Sequence, residues 1–236
     1  NTVGVQNDTA VTVDATGNWW GSADGPAVGQ VVGKVASCGW LDAAPPDGEP
    51  VARPVVNTTR GTSFCSIQAA IDDAATVNGD VIEVAAGTYT DPILVNKSVT
   101  LLGPNALINP NTGTRVAEAV LQGTTPSGLS QFVNIDAENV VIKGFTFDNL
   151  RIDNYWNSTH EPINGDVVEN NIFTNVAGTA IYLRDGRDAP GVYSTGVNVS
   201  NNMINPTTSA GVVDYDAGTG ILVSGAESST ISNNVV

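Results

Sequence analysis

The sequence predicts an all-β solenoid, a chain wound into short stacked coils. Three observations carry the prediction. A phrase of two asparagines followed by two apolar residues recurs about every thirty residues, at Asn170-Asn171-Ile172-Phe173, Asn201-Asn202-Met203-Ile204 and Asn233-Asn234-Val235-Val236. Gly-Thr-Ala-Ile-Tyr-Leu at 178–183 resembles Gly-Thr-Gly-Ile-Leu-Val at 218–223. Short β-branched runs separated by Asn, Asp and Gly fill the space between. A unit of roughly 20–30 residues cannot bury an apolar face alone and must stack on its neighbours. Each coil then holds three short strands, lying about 4.8 Å from those of the next coil. Asparagines at a fixed corner can stack as a ladder and satisfy polar groups inside a tight bend.

Composition bounds the function. The chain has 236 residues, 41% of them hydrophobic, with a mean hydropathy of +0.02, which suits a folded core. It has no run of eighteen apolar residues, so no membrane span is expected. It shows no basic-plus-apolar leader, so it is expected to start as mature sequence or as a cut from something longer. The net charge of −15 comes from 24 acidic against only 9 basic residues, a surface that repels nucleic acid. Few lysines and many Asn, Thr, Ser and Gly suit an extracellular surface. Cys38 and Cys65 form no metal-ligand spacing and His160 is the only histidine, which argues against structural zinc. A Cys38–Cys65 disulfide is favoured over two free buried thiols. Asn7, Asn57, Asn96, Asn157 and Asn198 head Asn-x-Ser/Thr sequons and are candidate glycosylation sites.

In chain order, residues 1–20 alternate apolar and polar positions through Val3, Val5, Val11 and Val13, predicting two short strands divided at Asn7-Asp8. Trp19-Trp20 follows, then a stop at Gly21, Gly25 and Pro26. One strand is expected within Val28–Val35. Residues 38–59 read as a Pro-rich linker, stiffened by Pro45, Pro46, Pro50 and Pro54. Beyond it, Phe64, Ile67, Ile71 and Ala74 fall on one helical face, with Ser63 or Ser66 able to cap it. This predicts one short helix near 66–76. Strands are expected at 80–84, 93–95 and 99–103. Further strands are expected at 132–135, 140–147, 167–173, 180–183, 197–204, 220–223 and 230–236.

Ser66-Ile67-Gln68-Ala69-Ala70-Ile71-Asp72, Gly79-Asp80-Val81-Ile82-Glu83-Val84, Ala86-Gly87-Thr88-Tyr89 and Lys97-Ser98-Val99-Thr100-Leu101-Leu102-Gly103 resemble the opening of right-handed parallel β-helix proteins of the pectin-lyase-like superfamily. The resemblance implies that the helix caps the open N-terminal end of the solenoid. Asn18-Trp19-Trp20-Gly21, with Gly25-Pro26, is similar to a phrase near the end of β-helices in microbial surface proteins. The closing phrase thus precedes the opening one. Reading residue 236 into residue 1 puts 20 residues between Gly220 and Gly4 and 21 between Asn233 and Asn18, about one coil each. Residues 1–37 are therefore expected to be the final coils and closing segment of a preceding unit, and residues 60–236 the cap and body of a β-helix open at its C-terminal end. An open solenoid end presents unpaired backbone groups and an apolar cross-section. Val3, Val5, Val11, Val13, Trp19, Trp20, Val235 and Val236 are the expected junction between units.

Chemistry is weighed against this. A polysaccharide lyase, which the superfamily includes, needs clustered carboxylates for calcium and a basic residue to take a proton. Asp185, Arg187 and Asp188, with Asp214 and Asp216 roughly one coil further on, are the candidates; the favoured reading is that they are loop tips facing solvent. Asp148, Asp153, Glu161 and Asp166 could supply a hydrolase pair, without distinctive spacing. His160, Tyr155 and Trp156 sit in an insertion at 151–164 and read as surface and packing residues. The expectation is non-enzymatic and without cofactor: an extracellular or cell-surface structural protein. It would be a subunit or tandem repeat of a filament, with identical neighbours and surface glycans as partners. A polysaccharide lyase or polysaccharide-binding domain is the competing reading.

Overall fold

The computed structural model describes residues 3–9, 11, 13–22, 26–27, 29–50, 54–123, 132–154, 163–176, 178–184, 193–206 and 219–236. Three sheets, almost wholly parallel, stack strand on strand in the topology of an all-β solenoid. One coil contributes Val81–Val84 to the first sheet, Gly87–Tyr89 to the second and Ile93–Val95 to the third. The same three-step order repeats through Val141–Lys143, Thr146–Asp148 and Arg151–Asp153, and again through Val167–Glu169, Ile172–Val176 and Ile181–Arg184. The next coil runs through Asn198–Ser200, Met203–Pro206 and Ile221–Ser224. The last described rung has Thr230–Ser232 in the first sheet and a bridge from Val235 to Met203 in the second.

Register explains the sequence repeat. Parallel pairing puts Ile82, Leu101, Ile142, Val168, Val199 and Ile231 in one column of the first sheet. The second sheet stacks Tyr89, Leu121, Phe147, Phe173 and Ile204, with the Phe147 and Phe173 rings stacked 4.6 Å apart and nearly parallel. The third stacks Ile93, Val133, Ile152, Ile181 and Ile221. A one-residue slip would send every column to solvent, so burial of these columns fixes the pairing.

The single helix among the described residues is shorter than expected, Ile67–Asp72. Ser66, not Ser63, caps it, accepting the Ala69 N–H at 3.1 Å. Ile67, Ala70 and Ile71 bury its inner face. It stops early because Asp73 leaves helical geometry and folds its carboxylate onto the Ala75 N–H at 2.9 Å, an Asx turn. Lys97 Nζ then donates to the carbonyls of Ile71, Asp73 and Thr76 at 2.6, 2.9 and 2.9 Å, satisfying the helix end and the turn beyond. Val55–Asn57, placed in the linker by sequence, is a strand of the first sheet, antiparallel to both Thr62–Phe64 and Val81–Val84.

A segment at 103–118 was not foreseen. It leaves the first sheet after Leu102 and runs lengthwise along the corner between the first and second sheets as a strap. Gly144, with φ of +81°, lies directly beneath it: a Cβ there would stand 2.1 Å from the Ala106 nitrogen. Further along, Asn170 Nδ2 donates to the Ala106 carbonyl, Asn109 to Asn201 Oδ1, and Asn111 to the Asn233 carbonyl. Arg115, almost buried, holds Glu118 through two nitrogens at 2.7 and 2.8 Å and donates to the Asn170 carbonyl at 2.8 Å.

The N-terminal segment pairs within itself. Val5–Asn7 lies parallel to Val31–Gly33, and Val13–Asp14 parallel to Val35–Ala36, so the strand expected within 28–35 is in fact two. Cys38 and Cys65 are joined, with Cα atoms 5.2 Å apart, tying this segment to the approach of the helix.

Candidate functional site

Two open edges stand out. At the upper end of the body, the first-sheet column is at most 1% exposed from Ile82 to Val199, whereas Ile231, its last member, is 54% exposed. Val235 and Val236 are 51% and 66% exposed, and Val236 packs over Gly220. Thr230–Ser232 and Ile221–Ser224 are the outermost strands of their sheets among the described residues. In the N-terminal segment, Val3, Val11 and Val13 are exposed and Val5 is half-buried. Trp19 and Trp20 are half-buried. The Trp20 ring lies against Gly4, and its carbonyl accepts from Gln30 Nε2 at 3.3 Å, so this aromatic braces its own segment.

The corner beside the upper edge is an asparagine ladder. Asn170, Asn201 and Asn233 take φ of +58°, +57° and +56°, the left-handed turn that Asn tolerates. The residue after each reaches one coil down. Asn171, Asn202 and Asn234 donate Nδ2 to the carbonyls of Ile142, Val168 and Val199 at 3.0, 2.9 and 2.9 Å. Their Oδ1 atoms accept the backbone N–H groups of Phe145, Asn171 and Asn202 at 3.0, 3.0 and 2.9 Å. Each asparagine thus satisfies the coil beneath it, and a coil's own N–H waits for the next asparagine.

The described carboxylates considered for catalysis, Asp148, Asp153 and Asp166, lie on or beside three different sheets. Asp148 lies on the second sheet, bonded by Gln122 and Asn175. Asp153 is buried on the third sheet in an ion pair with Arg151 at 2.7 Å. The Tyr182 ring beside them has Arg151 and Arg184 guanidinium carbons 5.7 and 5.6 Å from its centre. Asp166 is fully buried; Oδ1 accepts the Val140 N–H, and Oδ2 has no partner among the described residues. Burial pushes its carboxyl up to about 8, against the Val140 hydrogen bond and aided by the Glu138 charge. Asp185, Arg187, Asp188, Asp214, Asp216, Tyr155, Trp156, His160 and Glu161 lie outside the described residues. Among the described residues no three His, Cys, Asp or Glu side chains cluster as metal ligands, and no helix is long and apolar enough to cross a membrane.

The sequons divide sharply. Asn57 is fully buried, donating to Thr76 Oγ1 and Asp80 Oδ2 at 3.0 Å each, and Asn7 is buried, donating to the Val11 and Lys34 carbonyls. With both amide hydrogens of each already engaged, the fold as described disfavours a glycan at these two positions. Asn198 is half-buried, Asn96 is exposed, and Asn157 lies outside the described residues. An open cleft of about 440 Å³ runs beside the helix, lined by Gln68, Asp72, Asp91, Leu94, Gln122 and Asn134, among others.

Over 94 residues, 40% of its length, the chain is 38% identical to a cell surface glycoprotein of Methanothermus fervidus; the matched stretch spans 14% of that protein. No family model matches the chain, and no solved structure matches it.

Proposed function

We propose that this chain is a structural module of an extracellular surface assembly, in which units stack head to tail and residues 1–37 finish the solenoid of a neighbouring unit. The observation that carries the reading is that the N-terminal strands repeat the bonding of the body: Gly4 and Val5 both donate to the Gln30 carbonyl, as Ala180 and Ile181 both donate to that of Gly220. Covering an apolar side chain such as Val11, Val13 or Ile231 stabilises by roughly 1.5–3 kcal/mol. Association costs roughly 4–15 kcal/mol, so such side chains alone about break even and hydrogen bonds across the junction must add to them. The similarity to a cell surface glycoprotein supports a surface location. Coils of this topology wind right-handed, as nearly all parallel crossovers do. The assembly is a heterologous, non-closing contact and yields an open fibre. Asn96 is the exposed sequon best placed to carry a glycan. Electron microscopy of the purified chain, with intact mass near 24.3 kDa, tests the reading. Fibres with an axial repeat of a few nanometres are expected; dispersed particles at all concentrations would sink it.

A second reading rests on the cleft beside Leu94 and Asn134. Its amides and carboxylates flank apolar surface, a lining that suits a sugar ring. Retention of the chain on an immobilised polysaccharide, lost on Asn134→Leu, would favour polysaccharide binding.

A further inference from the structure

The N-terminal segment carries the same corner as the body. Gly17, with φ of +68°, is followed by Asn18-Trp19-Trp20, as Asn233, with φ of +56°, is followed by Asn234-Val235-Val236. The asparagine comes four residues after the first-sheet strand opens at Val167, Asn198 and Thr230, and five after Val13. In Asn18 the amide is turned inward on its own bend, donating to the Ala15 carbonyl at 2.8 Å.

The strand before it has a third-sheet signature. The N–H groups of Ala180 and Ile181 both donate to the Gly220 carbonyl one coil up, at 3.1 and 3.2 Å. The N–H groups of Gly4 and Val5 both donate to the Gln30 carbonyl, at 2.7 and 2.9 Å. With Ile181 paired to Ile221 and Val5 to Val31, the column reads Ile181, Ile221, then Val5, Val31. The upper rung of the body supplies a first-sheet strand and a second-sheet bridge. Residues 3–20 hold a strand with that third-sheet signature, Val5–Asn7, then Val13–Asp14, then the corner, the order in which the coil would continue.

We infer that residues 3–20 of a second copy of this chain dock on the edge formed by residues 220–236, with Asn18 as the next rung of the asparagine ladder. Gly220 and Ile221 donate to the incoming Gly4 carbonyl. Asn18 Oδ1 accepts the Asn234 N–H, and Asn18 Nδ2 exchanges the Ala15 carbonyl for that of Ile231. Gln6 comes to lie over Leu222. This inference rests on the head-to-tail reading and adds its register.

The test uses the full chain in two forms with one added cysteine each, Gln6→Cys and Leu222→Cys, mixed and treated with a short bismaleimide; Cys38 and Cys65 are joined and do not react. A covalent mixed dimer is expected from the mixture and not from either form alone. Asn18→Asp, which keeps the acceptor but lacks the donor, should raise the concentration needed for assembly by about tenfold, one net hydrogen bond's worth. Its circular dichroism and disulfide should stay unchanged. Fibres that form with no Gln6–Leu222 cross-link and no response to Asn18→Asp would overturn the register and leave the head-to-tail reading intact. A wild-type chain that stays monomeric overturns both.

Discussion

Asp166 makes stability depend on pH in a direction opposite to most carboxylates. Its carboxyl is raised from 3.8 to about 8 by burial, so the folded chain holds a proton that the unfolded chain releases. Its contribution to stability should be fully present below the ordinary carboxylate range and be lost as pH rises through about 8. Asp166→Asn should remove that slope, read as the denaturant midpoint across pH 5 to 9; an unchanged slope would refute the assignment. Asp80 acts in the other sense. The Arg60 guanidinium, bonded at 2.8 and 3.1 Å, holds its carboxyl well below the usual range despite burial, so its contribution is present above that range and lost in strong acid. The ladder asparagines were legible in sequence because each stands at the same corner, and the repeated phrase records that. Asp166 was seen only as an unremarkable acid. Its burial depends on Val140 and Glu138, which are nearly thirty residues away and which no local pattern links to it.

The helix and the strap differ in how much they owe to local sequence. Ser66 and the apolar face of Ile67, Ala70 and Ile71 announce a helix and Asp73 stops it locally, but the carbonyls left at that end are satisfied by Lys97, a contact of more than twenty residues' separation. Replacing Lys97 with Met leaves three carbonyls without their shared donor and should cost roughly 2–4 kcal/mol in denaturant unfolding. A loss below about 0.5 kcal/mol, the usual scatter at neutral surface sites, would mean that water replaces the ammonium without penalty. The strap escaped prediction because it has no period: its partners Asn170, Asn201 and Asn233 are set by the solenoid, not by its own residues. Arg115→Met should destabilise the strap selectively. Amide exchange should speed at 105–118 while the Ile142 and Val168 amides keep their protection. Equal loss at both would show that the strap folds as one with the coils.

At the scale of the whole molecule, a charge of −15 opposes association of like units. Screening shortens that repulsion to about 10 Å at 0.1 M salt. Apolar columns and hydrogen bonds are insensitive to such screening, so assembly should strengthen as sodium chloride rises from 20 to 300 mM, followed by sedimentation velocity. Weakening with salt would point to charge pairing at the edge instead. Reduction of Cys38–Cys65 should loosen 5–7 and 31–36 in hydrogen exchange and leave the coils between 81 and 204 protected, since the described pairing of the N-terminal strands is with one another. The stacked strands have a mechanical consequence. Hydrogen bonds between coils point along the stacking axis, so a pull along that axis loads all bonds of a rung together and cannot peel them one at a time. The segment 103–118, anchored at Gly144 and at Asn170, Asn201 and Asn233, runs parallel to that force. It acts as a tie-rod, sharing tension among four rungs and directing rupture to the rung it does not reach.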